Sequence, residues 1–213
     1  MIITQWRLMI PGHLPRAREH VILPAMQTRF SNVYVMNVMS DDHPGIVAAV
    51  GGAVEALGGN IDACSQTVLR SYFTLIMILS FPRQLGAGEL SDRVRGNKGD
   101  DSSLQVMVRP YVPPGASSSG CERFVITAFG KDKPGVLLRF TQYLAGKDIN
   151  IVDLYGDRRG DDFVLISQVE VPPVWDIKML QADLEQLGLE HGFNVRMQHE
   201  NVFVATNQLR FKR

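Results

Sequence analysis

The chain has 213 residues, of which 45% are hydrophobic and 21% are charged, a composition typical of a folded globular protein. Lys and Arg total 22 and Asp and Glu total 22, so the chain lacks the basic excess by which most proteins grip nucleic acid directly. The two cysteines, Cys64 and Cys121, form neither a Cys-x-x-Cys motif nor a disulfide framework, which is typical of a reducing cytoplasm.

Residues 1–29 are predicted to be an N-terminal extension. Their apolar opening is interrupted by Arg7, Pro11 and Pro15 before a signal peptide or a membrane span would be complete. We therefore expect no membrane association. Met26 offers an alternative start for the native protein.

Residues 30–112 are predicted to form a first unit of order βαββαβ. A β-rich run ends at Asp42-His43-Pro44-Gly45, and apolar residues at helical spacing follow from Ile46 to Leu57. Proline is favoured in the first helical turn and Asp42 can cap the exposed amides, so the motif predicts a strand-to-helix junction. Two strands, a weaker helix and a closing strand complete the unit.

Residues 121–204 repeat this pattern 90 positions later, so that Pro44 corresponds to Pro134 and Asn60-Ile61 to Asn150-Ile151. The last strand is predicted to run from residue 193 to 204. A linker at residues 113–120 joins the units and a tail follows at 205–213. The predicted fold class is α+β, with two ferredoxin-like βαββαβ units whose antiparallel sheets carry helices on one face.

The strand at residues 72–81 is apolar on both faces, since Ile76 and Ile78 lie opposite its core-facing residues. We expect the N-terminal segment, the other unit or a second chain to cover this outer face, unless these side chains are simply exposed. The strands that begin at Asn60 and Asn150 are predicted to lie at sheet edges, where they are free to pair with another strand.

No motif for catalysis, phosphate binding or metal ligation is present, so neither an enzyme nor a cofactor is predicted. Cys64 is interpreted as a buried, inert thiol. A binding site is predicted instead at each helix start, where the amides of Gly45 and Ile46, or of Gly135 and Val136, could seat a carboxylate. Asp42 and Asp132 could face an ammonium group or act only as caps, and Asn60 and Asn150 could bind ligand or only form a turn.

The motif Asp-x-Pro-Gly-[Ile/Val], an amphipathic helix, Asn-Ile and a β-hairpin together resemble the ACT domain, a module that binds small molecules. Two such units without a catalytic domain resemble the glycine cleavage system transcriptional repressor family. The resemblance implies an amino-acid site at an interface between ACT units, formed by the strand-to-helix loop of one and the Asn-Ile region of another. The ligand-binding residues are then Asp42, His43, Gly45, Ile46, Asn60, Ile61, Asp132, Lys133, Gly135, Val136, Asn150 and Ile151.

The resemblance further implies a small effector such as glycine or a serine-like amino acid, and a regulatory partner protein such as a transcription factor. It implies a cytoplasmic homo-oligomer, in the simplest case a dimer, that does not bind nucleic acid directly. The alternative is a ligand-independent interaction or dimerisation module built on the same fold. His43 corresponds to Lys133, so the two sites are not expected to be equivalent.

Overall fold

The structure is a computed structural model that describes residues 27–86, 88–98, 102–113 and 120–207. The chain divides into two compact units between residues 115 and 116. Most of the predicted N-terminal extension, linker and C-terminal tail lies outside the described residues.

Unit 1 has the predicted order βαββαβ. Its elements are β1 (Asn32–Asp41), α1 (Ile46–Ala56), β2 (Asn60–Leu69), β3 (Tyr72–Phe81), α2 (Glu89–Lys98) and β4 (Gln105–Pro110). The four strands form an antiparallel sheet, sheet 1, in the order β2-β3-β1-β4. The predicted edge position of β2 is confirmed.

Unit 2 repeats this arrangement and adds a terminal helix. Its elements are β5 (Glu122–Lys131), α3 (Val136–Gly146), β6 (Asn150–Arg159), β7 (Asp162–Val171), α4 (Ile177–His191), β8 (Phe193–His199) and α5 (Glu200–Asn207). The strands of this second sheet, sheet 2, are ordered β6-β7-β5-β8. The α+β class and the doubled ferredoxin-like pattern are therefore confirmed.

The core of each unit lies between the sheet and its two main helices because apolar residues alternate along the strands and recur at helical spacing. In unit 1, Met36, Leu75 and Phe81 of the sheet pack with Ile46 and Leu90 of the helices. In unit 2, the corresponding core includes Ile126, Leu165, Phe140, Leu144 and Leu184. This packing fixes the strand-to-helix loops at one end of each sheet.

The helix starts differ from the prediction. α1 begins at Ile46, and its N-cap is Gly45 in a left-handed conformation with φ 96°, with no side-chain cap. Gly135 has the same role before α3 with φ 88°. The predicted caps at Asp42 and Asp132 are therefore wrong, and Pro44 precedes the helix. Glycine is required at both positions because a side chain at such φ values is strained.

The predicted closing strand of unit 2 is too long. It pairs with β5 only as far as His199, which lies opposite Phe124, close to the first residue of β5. Without a neighbouring strand to pair with, residues 200–207 form α5, and the Asn201 N–H donates to His199 Nδ1 at 3.2 Å. The β-propensity of residues 202–204 is overridden because a strand needs a paired neighbour.

Two further expectations concern β2 and the face beside it. Cys64 is exposed, so the prediction of a buried thiol is wrong; it lies on the edge strand β2, most of whose residues are exposed. On the outer face of sheet 1, which carries no helix of the βαββαβ unit, Ile76 is exposed and Ile78 is partly buried. What covers the exposed part of this face stays a prediction.

Gly51 lies inside α1, and a Cβ added there would meet no heavy atom within 4 Å. We expect Gly51→Ala to raise the free energy of unfolding by about 0.5–1 kcal/mol, because alanine restricts the unfolded chain and favours helix. Urea unfolding followed by circular dichroism measures this change. A loss of stability would show that α1 needs the glycine for a reason other than space.

Candidate functional site

The strand-to-helix loop of unit 1 borders a shallow depression of about 400 Å³. The loop contributes residues 42–48, and β2 and β3 contribute Gln66 and Phe73. The Asp42 N–H donates to the Ser71 carbonyl at 2.8 Å, which ties the loop to the β2–β3 turn. Four predicted site residues, Asp42, His43, Gly45 and Ile46, therefore meet in one place.

This depression presents both polarities that a zwitterionic ligand needs. The first intrahelical bond of α1 runs from the Ala49 N–H to the Gly45 carbonyl at 2.9 Å, so earlier amides of the turn point out of the helix. These amides carry partial positive charge, which favours a carboxylate. The exposed Asp42 carboxylate has no partner among the described residues and offers the opposite charge.

The Asn-Ile positions lie at the other end of each sheet. β2 starts at Asn60, whereas the loop lies beside Leu69, since Leu69 pairs with Tyr72 and Tyr72 with Asp41. Nine steps along a strand at about 3.3 Å each separate the two ends by roughly 30 Å. Within one unit, the structure therefore does not bring Asn60 or Ile61 to the loop. Unit 2 separates Asn150 and Ile151 from its loop in the same way.

The first residues of β2, Asn60 and Ile61, form what we call the Asn-Ile corner of unit 1; in unit 2 the corner is Asn150 and Ile151. The Asn60 side chain already has a hydrogen-bond partner. Asn60 Nδ2 donates to Asp62 Oδ1 at 2.7 Å, and the Arg29 N–H donates to the same oxygen at 3.1 Å. Asp62 Oδ2 is buried and has no partner among the described residues. A β-bulge between Ile61 and Ala63 places Asp62 in this position. The Asn60 amide is therefore less available to a ligand than the sequence suggested.

In unit 2 it is the strand-to-helix loop whose residues already have interaction partners. Asp132 Oδ2 lies 2.9 Å from Arg158 Nε, and the Val136 N–H donates to the Lys133 carbonyl at 3.3 Å. The Lys133 ammonium lies beside the carboxyl end of α4, where a Cβ placed on Gly192 would be 2.8 Å from its Nζ. The helix dipole favours a cation there. Three of the four residues predicted at this loop thus have other interactions.

The corner of unit 2 is open. Asn150 is exposed, and its side chain has no partner among the described residues. The position of Asp62 is taken by Val152, which is also exposed. In unit 2, the Asn-Ile corner rather than the strand-to-helix loop is therefore available to a ligand.

Two residues near the loops were missed by sequence reasoning. Gln66 borders the depression in unit 1, where unit 2 has Gly156. Arg158 neutralises Asp132, where unit 1 has Val68. Both differences are visible when the two repeats are aligned at their 90-residue offset, so a position-by-position comparison of the repeats would have found them.

The described residues offer little else that suggests chemistry. No group of three or more His, Cys, Asp or Glu among them could hold a metal ion. None of the described helices combines the length and the apolar character of a membrane span. The groups that could bind a ligand are therefore the charged and hydrogen-bonding groups of the strand-to-helix loops and the Asn-Ile corners.

Comparison with known proteins agrees with this fold. The ACT-domain family model matches residues 122–198. A UPF0237 protein of Methanococcus maripaludis is 40% identical over 83 residues, which are 38% of this chain and 92% of that protein. One from Methanosarcina acetivorans is 34% identical over 82 residues, or 38% and 89% of the two chains. This chain belongs to the ACT-domain family. Membership in the ACT and UPF0237 families indicates a regulatory rather than a catalytic protein.

Solved structures match both ACT units together. A protein of unknown function from Galdieria sulphuraria superposes with a TM-score of 0.65 at 20% identity, covering 79% of this chain and 98% of that one. A protein provisionally named as a glycine cleavage system transcriptional repressor gives a TM-score of 0.57 at 21% identity, with the same coverage. At these identities the two structures show the tandem ACT fold alone.

Proposed function

We propose that this ACT-domain protein is a non-enzymatic sensor of a small amino acid, glycine or serine-like, that acts through a partner protein. The observation that carries the proposal is the Asp42 carboxylate, which has no partner among the described residues and lies beside the amino-terminal amides of α1. A free amino acid has an ammonium group and a carboxylate two bonds apart, which fit these two features. The name of one structural relative, a glycine cleavage repressor, supports this class of effector.

The binding site proposed combines the loop of one ACT unit with the Asn-Ile corner of an ACT unit in a second copy of the chain. The open edges of the described sheets support such pairing, since β2 and β6 each have a neighbour on one side only. The available groups differ between the repeats. Asp42, Gly45 and Ile46 are the proposed loop contacts, and Asn150 and Ile151 are the proposed corner contacts.

Weak binding is expected because the ligand is small. Glycine has five heavy atoms, and at about 1.5 kcal/mol for each, the free energy of binding is limited to about 8 kcal/mol, or micromolar affinity. A sensor in this regime responds to micromolar or millimolar pools of its effector. Screening must therefore extend to millimolar concentrations.

Signal transfer follows from differential binding. An effector that binds one assembly of ACT units better than another shifts the population towards the first. We propose that the favoured assembly alters the affinity for a partner protein, such as a transcription factor, in the cytoplasm. The zero net charge supports action through a protein rather than through direct contact with DNA.

The alternative is a ligand-independent interaction module. The open strands β2 and β6 favour it as much as they favour the sensor, because edge pairing needs no ligand. The two functions differ in whether any amino acid stabilises the protein.

The proposal is tested by a thermal-shift screen of the purified protein against the twenty amino acids at millimolar concentration, followed by calorimetry on each hit. We expect one or two amino acids to raise the melting temperature, because a ligand that binds only the native state stabilises it. Asn150→Ala is expected to weaken binding about tenfold, whereas Asn60→Ala, whose amide is held by Asp62, changes it less.

One outcome would contradict the sensor and another would contradict only its proposed site. Absence of any shift up to tens of millimolar favours the interaction module and directs the search to protein partners. A ligand-bound structure with the amino acid far from both loops and both corners would keep the sensor but overturn its site.

A further inference from the structure

The outer face of sheet 1 exposes a group of large apolar side chains. Met39, Ile76 and Met107 on β1, β3 and β4 are 47%, 45% and 59% exposed. They are neighbours, because Ile76 and Met107 both pair with Asn37, two residues before Met39. A depression of about 630 Å³ lies here, lined in part by Asn37, Met39 and Met107. An exposed apolar surface of this kind is typical of a docking site.

The other end of the same face is already covered. Val35 is 8% exposed and Ser80 is 0% exposed, although both alternate with core residues and therefore point to the outer face. The Phe30 N–H donates to Ser80 Oγ at 3.2 Å, and the Arg29 N–H donates to Asp62 at 3.1 Å. Residues 28–31 thus run onto the outer face before the chain enters β1.

Unit 2 shows how this face is covered when the chain supplies a segment for it. α5 follows β8 directly and contacts β5 and β8, and the Gln168 side-chain amide donates to the Glu200 carboxylate. Val125, which occupies the position of Val35 in the repeat, is only 2% exposed. In that unit, chain outside the βαββαβ pattern packs on the outer face.

We propose that residues 1–26 dock on the outer face of sheet 1 and cover Met39, Ile76 and Met107. Three observations carry this assignment. The chain immediately after this segment already lies on the face. The segment is long enough, since 26 residues can span more than twice the roughly 33 Å length of a ten-residue strand. Its first ten residues, MIITQWRLMI, are mostly apolar and match the surface they would cover.

Docking of this segment does not depend on amino-acid binding. The segment would reach the face past Asp62, which also holds Asn60, so it would additionally keep the corner of unit 1 closed. A second copy of the chain and a different protein are the competing occupants of the face. They predict different results in the following tests.

The first test compares the full chain with a chain that starts at Met26. We expect the shorter chain to bind the dye ANS several-fold more strongly and to melt at a lower temperature, because the apolar face is then exposed to water. Equal dye binding and equal melting would overturn the proposal.

The second test keeps the full chain and uses its two tryptophans, Trp6 and Trp175. In a Trp175→Phe background, Trp6 is expected to show blue-shifted emission and protection from acrylamide. Ile76→Asp should abolish both, whereas the matched control Leu189→Asp, on the exposed side of α4, should not. The proposal fails if Trp6 behaves as a solvent-exposed indole in every variant. It also fails if Ile76→Asp instead converts a dimer to a monomer in sedimentation, because a second copy would then be the occupant.

Discussion

Asp42→Asn is expected to weaken the binding of the amino-acid effector by about 10- to 100-fold. Hydrogen bonds to a charged group contribute about 1.5–3 kcal/mol, and each 1.4 kcal/mol corresponds to tenfold in affinity. The carboxylate has no partner among the described residues, so its charge is available to an ammonium group. Asparagine keeps the shape and loses the charge. Calorimetric titration with the amino acid identified in the thermal-shift screen measures the change.

Asp132→Asn is the matched control at the equivalent position of unit 2. Arg158 already neutralises Asp132, so we expect the affinity for the effector to change less than twofold. The ion pair is exposed, and its loss should cost at most about 1 kcal/mol of stability. Equal losses of affinity in the two variants would show that the repeats bind effector equivalently. A loss in Asp132→Asn alone would move the site to unit 2.

Gly188→Ala is expected to destabilise unit 2 by about 2–3 kcal/mol. Gly188 is buried in α4, and a Cβ there would lie 2.3 Å from the Phe193 carbonyl oxygen and 3.3 Å from Val195 Cγ2. Backbone cannot move aside as a flexible side chain can, so α4 must separate from β8. The helix propensity of alanine offsets only about 1 kcal/mol of this cost.

Thermal unfolding followed by calorimetry measures the effect of Gly188→Ala, and a loss of about 10–20 °C is expected for a unit of this size. Gly146→Ala is the control in the same unit, because a Cβ at the end of α3 would meet no heavy atom within 4 Å. We expect that variant to be neutral or slightly more stable. A neutral Gly188→Ala would mean that α4 does not pack against β8 as closely as the structure shows.

The order of the elements was predictable because its signals are local. The β-rich run before Asp42 and the helical spacing after Gly45 both act within a few residues. Because the pattern is repeated 90 residues later, each of these local signals occurs twice in the chain. The predictions failed where a distant partner decides the local structure. α5 replaces the predicted strand because β5 begins only two residues before Phe124, the partner of His199, and propensity cannot detect where a partner strand begins.

The candidate site follows the same division. The sequence identifies Asp42, Gly45, Asn60 and their counterparts as candidate site residues, because the motif and its repeat can be recognised from the sequence alone. It does not show that Gly45 serves as a left-handed N-cap, or that Asn60 is held by Asp62. It also does not show that the loop and the corner of one unit lie roughly 30 Å apart, which depends on strand pairing.

The sequence by itself determined the two ACT units, their βαββαβ order and the residue types offered at each loop, since these depend on spacing and composition. Only the tertiary structure decided which of those residues remain available. Arg158 reaches Asp132 from another strand, and Arg29 reaches Asp62 from outside the sheet. The physical reason is that a charged or hydrogen-bonding group is satisfied by the groups that the folded chain brings within about 3 Å of it. Separation along the sequence carries no information on that distance.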